Sequence, residues 1–306
     1  MVTGEHAVVY GAPSIVCAIE QRIHVKATPL ADKILDVRSE IAPPLTCPLG
    51  ALPTDGAYRF VCNAVARCGA QLDHGLRLEI TSQIDPTLGL GSSAAVTIAT
   101  LGALTKLTGN DRGDTWQNNL HNEALTIVRH LQGRGSGADL AASLFGGMIA
   151  YQLPHTMLHG IPTTDVCADV CPLGTPPPMG LSYCGYKTRT GDVLAKIAAD
   201  RIGHETEFDA LFDQMGENAK HCIEFAKLND WPDMGRLMND YQELMKTLGV
   251  SDAKLDQIVA QAQRHHGLWA AKISGSGLGD CVLSFGDVPD GFTPVNFADT
   301  GLRFHD

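Results

Sequence analysis

Three glycine-rich segments, each next to an apolar stretch, constrain this chain more than any other feature of its sequence. They are residues 86–95 (PTLGLGSSAA), 133–139 (GRGSGAD) and 272–281 (KISGSGLGDC). Glycine adopts left-handed backbone conformations and lets a ligand or another chain segment approach closely. All three segments are therefore candidate binding loops.

The first segment leads into a predicted helix over 92–107, with Gly109 just past its end. Free N–H groups and the helix dipole attract anions to such an N-terminus. The hydroxyl of Ser92 or Ser93 could also reach a phosphate-bound Mg²⁺. The segment is not a Walker A loop, since no lysine follows its glycines, and it lacks the third glycine of a dinucleotide fingerprint. A glycine turn followed by a serine N-cap is the alternative interpretation.

The other two segments offer a carboxylate and a second glycine loop. Asp139 enters the apolar run LAASLFGG, where it could act as a base or as an electrostatic partner of a reacting hydroxyl. A helix N-cap is the alternative role for this residue. Gly275, Gly277 and Gly279 alternate between two apolar runs, which indicates a loop pressed against a ligand or against other backbone, or else a tight hairpin.

Composition and charge narrow the classes of partner. The 306 residues include 23 Lys and Arg against 34 Asp and Glu, a formal net charge of −11. That balance argues against a nucleic-acid or anionic membrane surface but allows a small anionic ligand. Residues 140–164 carry no charge, but glycines and prolines interrupt them, so we expect no membrane span. No signal peptide is visible, and the nine cysteines have neither disulfide nor zinc spacing, which favours a cytoplasmic protein with free thiols.

Hydrophobic periodicity predicts an α+β protein with its helices concentrated late in the chain. A proline-rich stretch at 175–178 predicts two lobes, 1–174 and 175–306. The predicted strands are 7–9, 15–19, 22–28, 76–81, 148–152, 181–186, 270–274 and 281–285. The predicted helices are 56–69, 92–107, 118–131, 192–202, 205–229, 233–248 and 253–266.

Taken in order, these segments resemble the GHMP kinase superfamily of galacto-, homoserine, mevalonate and phosphomevalonate kinases. Residues 4–11 (GEHAVVYG) resemble its first motif in the form found in mevalonate kinases. Residues 88–95 resemble the second motif, the phosphate-binding loop, and residues 272–281 resemble the third. Residues 248–251 (LGVS) resemble part of the helical C-terminal lobe of mevalonate kinases.

The resemblance implies a two-lobe fold, with a ribosomal-protein-S5-like N-terminal lobe and a ferredoxin-like helical C-terminal lobe. It implies an ATP- and Mg²⁺-dependent kinase for a small-molecule alcohol. Mevalonate is the expected acceptor, and phosphomevalonate or a sugar is the alternative. A nucleotide-binding relative without catalysis is the alternative from another class. Dimers occur among mevalonate kinases, so a homodimer is compatible with the resemblance.

The resemblance also implies roles for individual residues. Asp139 and Lys187 would be catalytic, and Ser93 and Glu123 would be metal ligands. The nucleotide would contact Leu88, Gly89, Leu90, Gly91, Ser92, Ser93, Ala94, Gly275, Ser276 and Gly277. The acceptor would contact Glu5, His6, Ser136, Gly137, Thr188 and Thr190.

The sequence departs from the family pattern at four places. The family's opening Pro-Gly-Lys would fall before residue 1, so either the assigned start is short of this motif or Arg134, Lys187 or Lys272 supplies the cation instead. Val128 stands where mevalonate kinases carry a Mg²⁺-binding Glu, and Glu123 lies about 140° away round the same predicted helix. The third motif carries Leu278 and Asp280 where the family favours glycine, and residues 132–139 look more like phosphomevalonate kinases.

Overall fold

The structure is a computed structural model that describes residues 1–68, 72–85, 90–111, 113–158 and 167–305. The predicted α+β class is confirmed. The strands are β1 (Ser14–Cys17), β2 (Ile23–Leu30), β3 (Ile34–Ser39), β4 (Leu45–Pro48), β5 (Gly75–Ser82), β6 (Met148–Gln152), β7 (Asp169–Pro172), β8 (Met179–Tyr183), β9 (Ala270–Ser274), β10 (Cys281–Phe285) and β11 (Thr293–Pro294). The helices are α1 (Arg59–Cys68), α2 (Ser92–Thr108), α3 (Trp116–Gln132), α4 (Ala138–Phe145), α5 (Thr190–Asp200), α6 (Glu205–Leu228), α7 (Trp231–Thr247) and α8 (Ala253–Ala262).

The strands form three sheets. The outer sheet has the order β2-β5-β3-β4 and is antiparallel except for the β3–β5 pair. The central sheet is antiparallel with the order β1-β6-β7, and the C-terminal sheet is antiparallel with the order β11-β8-β10-β9. The hairpin of β9 and β10 runs from Ala270 to Phe285, so the third glycine segment forms its turn. The pairing register of β9 and β10 fixes the position of this turn at one end of the C-terminal sheet.

Helix α2 is the buried helix of the N-terminal half. Small and apolar residues occupy most of its circumference, and it contacts β2, α1, α3 and α4. A helix that is apolar on all sides is stable only when neighbours cover those sides. Gly109 ends it in the left-handed conformation, as predicted, with a backbone bond to the carbonyl of Lys106. The packing therefore fixes where the N-terminus of α2 points.

The prediction of a strand over 7–9 is wrong, because Ala7–Tyr10 form a short 3-10 helix. Thr3 pairs with Ile15 of β1 in an antiparallel bridge, so the chain must reverse direction between Thr3 and the start of β1 at Ser14. Gly4 and Gly11 make the reversal with φ angles of 96° and 92°. A Cβ atom on Gly4 would lie 2.5 Å from the Cβ of Ser14, so glycine is required there.

Periodicity located the long elements and missed the short ones. Strands β6, β9 and β10 match their predicted bounds, and the predicted helices lie within a few residues of the observed ones. The elements that were not predicted are β3, β4, β7, α4 and β11. Each is short, and α4 follows a glycine in the left-handed conformation at Gly137. A few residues give too little periodicity to separate them from a loop.

The C-terminal segment returns to the N-terminal half. Phe297 pairs with Ile19 in a β-bridge. The Ala298 N–H donates to the carbonyl of Ala18, and the Ala298 carbonyl accepts from the Gly147 N–H. The Leu302 N–H donates to the carbonyl of Leu144 at 3.1 Å. The outer and central sheets belong to residues 1–174, and the C-terminal sheet belongs to the rest. The division at residue 174 stays a prediction, since the segment 297–302 lies against the first half.

Two further observations concern membrane-spanning helices and the cysteines. Among the described residues no helix combines the length and apolar character that crossing a bilayer requires. All nine cysteines are free thiols, and Cys167 and Cys171 are exposed.

We expect Gly146→Ala to destabilise the fold by crowding the returning C-terminal segment. Gly146 has φ 78°, and its Cβ would lie 2.2 Å from the backbone nitrogen of Gly301. The comparison variant is Gly109→Ala, since Gly109 has φ 73° and open space around it. Gly109 lies in the left-handed helical region with ψ 19°, where alanine costs about 1–2 kcal/mol. Gly146 has ψ −174°, a conformation that is essentially restricted to glycine, so its backbone strain adds to the crowding. Urea unfolding should give an additional loss of about 1–3 kcal/mol for Gly146→Ala, and equal losses would contradict the crowding argument.

Candidate active site

A cleft of about 1050 Å³ brings the glycine segments and the first motif together. Most of the residues predicted to bind ligands line it. They are Glu5, His6, Leu90, Gly91, Ser92, Ser93, Ser136, Asp139, Lys187, Thr190, Gly275 and Ser276. These residues come from both halves of the chain, so the cleft is a single site assembled by the fold.

The other residues predicted to bind ligands either lie behind the surface of the cleft or fall outside the described residues. Leu88 and Gly89 lie outside the described residues. Ala94 is buried in the core. Gly137 packs against His121 and Tyr151, Gly277 packs against the Val250 carbonyl, and Thr188 donates to the carbonyl of Leu278. These four support the cleft wall and do not line it.

The N-terminus of α2 opens into the cleft beside Asp139. Gly91 precedes the helix with φ 76°, and a Cβ atom on it would lie 4.0 Å from the Cβ of Asp139. Ser92 and Ser93 form the first turn, where N–H groups have no partner within the helix. A hydrogen-bond donor surface for anions therefore lies next to a carboxylate.

Asp139 lies in the first turn of α4, with its side chain exposed to the cleft. The Leu140 N–H donates to Oδ1 at 3.0 Å. The protein that surrounds the cleft raises the pKa of the Asp139 carboxyl by desolvation, and the bond from Leu140 opposes this shift. The carboxylate is thus a better proton acceptor than an aspartate in open solvent.

Three side chains that the sequence analysis missed hold the loop before Asp139. The Tyr151 hydroxyl donates to the Ser136 carbonyl at 2.6 Å, and Nε2 of His121 bonds the Gly137 carbonyl at 3.1 Å. Arg129 donates through Nε to the Gly135 carbonyl at 3.2 Å. Burial lowers the pKa of His121, so its ring stays neutral. Their anchoring of three successive carbonyls sets the direction in which Asp139 leaves the loop.

The first motif is fixed by a buried ion pair. Nζ of Lys272 on β9 lies 2.5 Å from Oε1 of Glu5, and both side chains are almost fully buried. Lys272 also lies 5.4 Å from the centre of the Tyr241 ring, whose hydroxyl donates to the Glu5 carbonyl at 2.6 Å. Lys272 is therefore committed to Glu5, and of the three cations considered from the sequence Arg134 and Lys187 remain on the cleft wall.

His6 follows Glu5 in a left-handed conformation that is rare for a side-chain-bearing residue, with φ 61°. Its Nε2 lies 3.0 Å from the Ser276 carbonyl, which joins the first motif to the third. A carbonyl only accepts, so Nε2 carries the hydrogen and Nδ1 is an acceptor. Burial lowers the pKa of His6 to about 4, so the ring is neutral at pH 7.

Of the two metal ligands predicted from the sequence, one lies at the cleft and the other does not. Ser93 lines the cleft, but Glu123 pairs with Arg67 on the face between α1 and α3 and does not line it. Val128 lines the cleft instead. Across the described ranges no three His, Cys, Asp or Glu side chains converge as a metal site. The oxygen donors present are the hydroxyls of Ser92 and Ser93 and the carboxylate of Asp139, a set that suits a hard cation carried in with phosphate oxygens.

Comparison with known proteins agrees with this geometry. A family model for the GHMP kinases N terminal domain matches residues 56–147, and one for the GHMP kinases C terminal matches residues 222–290. The first match spans α1 to α4, including the N-terminus of α2 and Asp139. The second spans the chain from the C-terminal end of α6 through β10, including Lys272 and the third glycine segment.

Relatives match over nearly the whole chain. A mevalonate kinase of Thermococcus sibiricus is 31% identical over 92% of this chain and 85% of its own. One of Archaeoglobus fulgidus is 30% identical over 99% of this chain and 96% of its own. A solved structure of L. major mevalonate kinase in complex with R-mevalonate has a TM-score of 0.71 and 22% identity, and the match covers 95% of this chain and 85% of that one. The chain belongs to the GHMP kinase family.

Proposed function

We propose that this protein is an ATP-dependent kinase that transfers a phosphoryl group to the hydroxyl of mevalonate. The observation that carries the proposal is the placement of Asp139 against Gly91, at the N-terminus of α2. The relatives that match nearly the whole chain are named mevalonate kinases, and this supports mevalonate as the acceptor.

The α2 N-terminus supplies the phosphate site. The N–H groups around Ser92 and Ser93 and the positive end of the helix dipole bind anions without any side-chain charge. This explains how a chain with a net charge of −11 can hold a nucleotide. Arg134 and Lys187 are among the basic residues that line the cleft, and they add local positive charge.

Asp139 performs the proton chemistry. Its carboxylate orients the acceptor hydroxyl and takes its proton as the new oxygen–phosphorus bond forms. The bond between the γ-phosphorus of ATP and its bridging oxygen breaks in the same step, and ADP leaves. The raised pKa of the carboxyl improves this acceptance. The fixed loop 133–137 provides the positioning that makes up most of the catalysis of phosphoryl transfer.

We also propose Mg²⁺ as the metal, held by the hydroxyls of Ser92 and Ser93 together with phosphate oxygens of the nucleotide. When bound with the nucleotide it would neutralise charge on the phosphate oxygens. Among the described residues Glu123 is not placed to take part, because Arg67 holds it outside the cleft.

We further propose a cytoplasmic location, which the nine free thiols support. A homodimer stays a prediction, and light scattering of the purified chain would test it.

The first test is ADP release from Mg·ATP with mevalonate, 5-phosphomevalonate and galactose as separate acceptors. Turnover is expected with mevalonate. Asp139→Asn keeps the shape of the side chain but removes the proton acceptor, so kcat should fall roughly 10²-fold or more.

The control for this variant is Asp213→Asn, on an exposed position of α6. It should leave kcat unchanged. Turnover with phosphomevalonate alone would replace the proposed acceptor. ATP binding without turnover on any acceptor would mark a non-catalytic relative, and an active Asp139→Asn variant would refute the role of Asp139.

The rate should also depend on pH through Asp139. The carboxylate is the active form, so kcat falls as the pH falls through the raised pKa. The midpoint should lie above the value of about 3.9 that is usual for a free aspartate. A kcat profile from pH 4 to 8, with circular dichroism at each pH to confirm folding, measures it. A rate that stays flat down to pH 4 would contradict the shift.

Tyr151→Phe tests the anchoring of the catalytic loop. Losing the hydroxyl frees the Ser136 carbonyl, so kcat should fall about tenfold or more because Asp139 is no longer held in one geometry. Tyr58→Phe is the matched control, since that hydroxyl also donates to a carbonyl, Ala42, but away from the cleft. Both variants should lose about 1 kcal/mol of stability in urea unfolding. Equal kcat values would contradict the anchoring role.

A further inference from the structure

Asp280 occupies a backbone conformation that favours glycine. Its φ is 66°, and it lies in the third glycine segment just before β10. Backbone bonds hold it there, since its N–H donates to the Tyr186 carbonyl at 3.1 Å and its carbonyl accepts from the Cys184 N–H at 3.1 Å. A glycine would meet these demands without strain. The side chain of Asp280 must therefore be explained by what it contacts.

The carboxylate of Asp280 faces Lys187 and Ser276. Oδ1 lies 3.5 Å from Nζ of Lys187, and Oδ2 accepts from the Ser276 hydroxyl at 3.4 Å. The Asp280 side chain is 7% exposed and that of Lys187 is 33% exposed. Burial raises the pKa of the Asp280 carboxyl, and the ammonium of Lys187 opposes this shift. All three residues line the cleft.

We propose that Asp280 is a positioning residue that holds the Lys187 ammonium at the wall of the cleft, ready for the anionic groups of the reactants. This inference rests on the proposed function. A lysine has four flexible torsions, and fixing its charge beforehand removes that reorganisation from the reaction. The carboxylate also offsets the charge of Lys187. It therefore fixes the position of the ammonium but weakens the attraction between Lys187 and the bound anionic reactant.

That opposition predicts a split between kcat and KM. Without the carboxylate, Lys187 moves freely but carries an uncompensated charge. In Asp280→Asn and Asp280→Gly we expect kcat to fall about tenfold to a hundredfold. The KM for Mg·ATP should stay the same or decrease. Both substitutions suit the positive φ, so the fold is retained. A raised KM with unchanged kcat would overturn the proposal.

A double-mutant cycle with Lys187→Met separates positioning from general damage. If Asp280 acts through Lys187, then Asp280→Asn causes little further loss of kcat in the Lys187→Met background. An equal loss in both backgrounds would show that Asp280 serves only the local structure, and the proposal would fall.

Chemical labelling makes the inference independent of the acceptor. If the wild-type protein fails to phosphorylate mevalonate, the proposed function fails, but the Asp280–Lys187 contact can still be measured. Reductive methylation followed by mass spectrometry should modify Lys187 several-fold faster in Asp280→Asn than in the wild type. Lys196, which pairs with Asp200 on α5, provides the internal reference. An unchanged rate at Lys187 would overturn the inference by itself.

Discussion

The buried ion pair of Glu5 and Lys272 is the interaction on which the rest of the site depends. It joins the reversal of the chain at 4–11 to strand β9, between residues 267 positions apart. Removing one partner of such a pair leaves an uncompensated buried charge and costs about 3–5 kcal/mol. With Glu5 fixed, His6 reaches the Ser276 carbonyl, and Ser276 in turn contacts Asp280. A continuous set of contacts therefore runs from the first motif to the cation on the cleft wall.

A second set of contacts fixes the opposite wall. Helix α2 is immobilised by burial on several sides, and its N-terminus is the proposed donor surface for anions. The loop before Asp139 is held by side chains from α3 and β6, so the carboxylate meets that surface in one geometry. The returning segment 297–302 bonds to Leu144 on α4 and to Gly147 just before β6, and it closes the same half. Packing on one wall and a polar network on the other thus build one cleft from distant parts of the chain.

The parts of this arrangement that local sequence encodes were predictable. A serine pair after glycines, followed by a long apolar helix, indicates an anion site at a helix N-terminus, and the hairpin around 275–279 follows from its two flanking apolar runs. Long-range partners were not predictable in the same way. Lys272 was considered as a cation for the ligand, but a strand pattern cannot reveal that Glu5 lies opposite it. Glu123 likewise shares a helix with Val128, yet its direction toward Arg67 depends on how α1 packs against α3. The roles of His121 and Tyr151 could not be predicted, because the carbonyls they bind belong to a loop with no periodicity.

The carboxylates that line the cleft all have a hydrogen-bond or ion-pair partner among the described residues. Three carboxylates line the cleft among the described residues: Glu5, Asp139 and Asp280. Lysines pair with Glu5 and Asp280, and a backbone N–H donates to Asp139. Apart from Asp139, the cleft of this acidic chain therefore presents little uncompensated carboxylate charge to an anionic reactant. In the proposed function, backbone N–H groups at the α2 N-terminus attract the phosphates in fixed directions that flexible side chains cannot match. On this view the site favours a reactant whose phosphates fit the α2 N-terminus over one that is merely anionic, because geometry and not net charge sets the attraction.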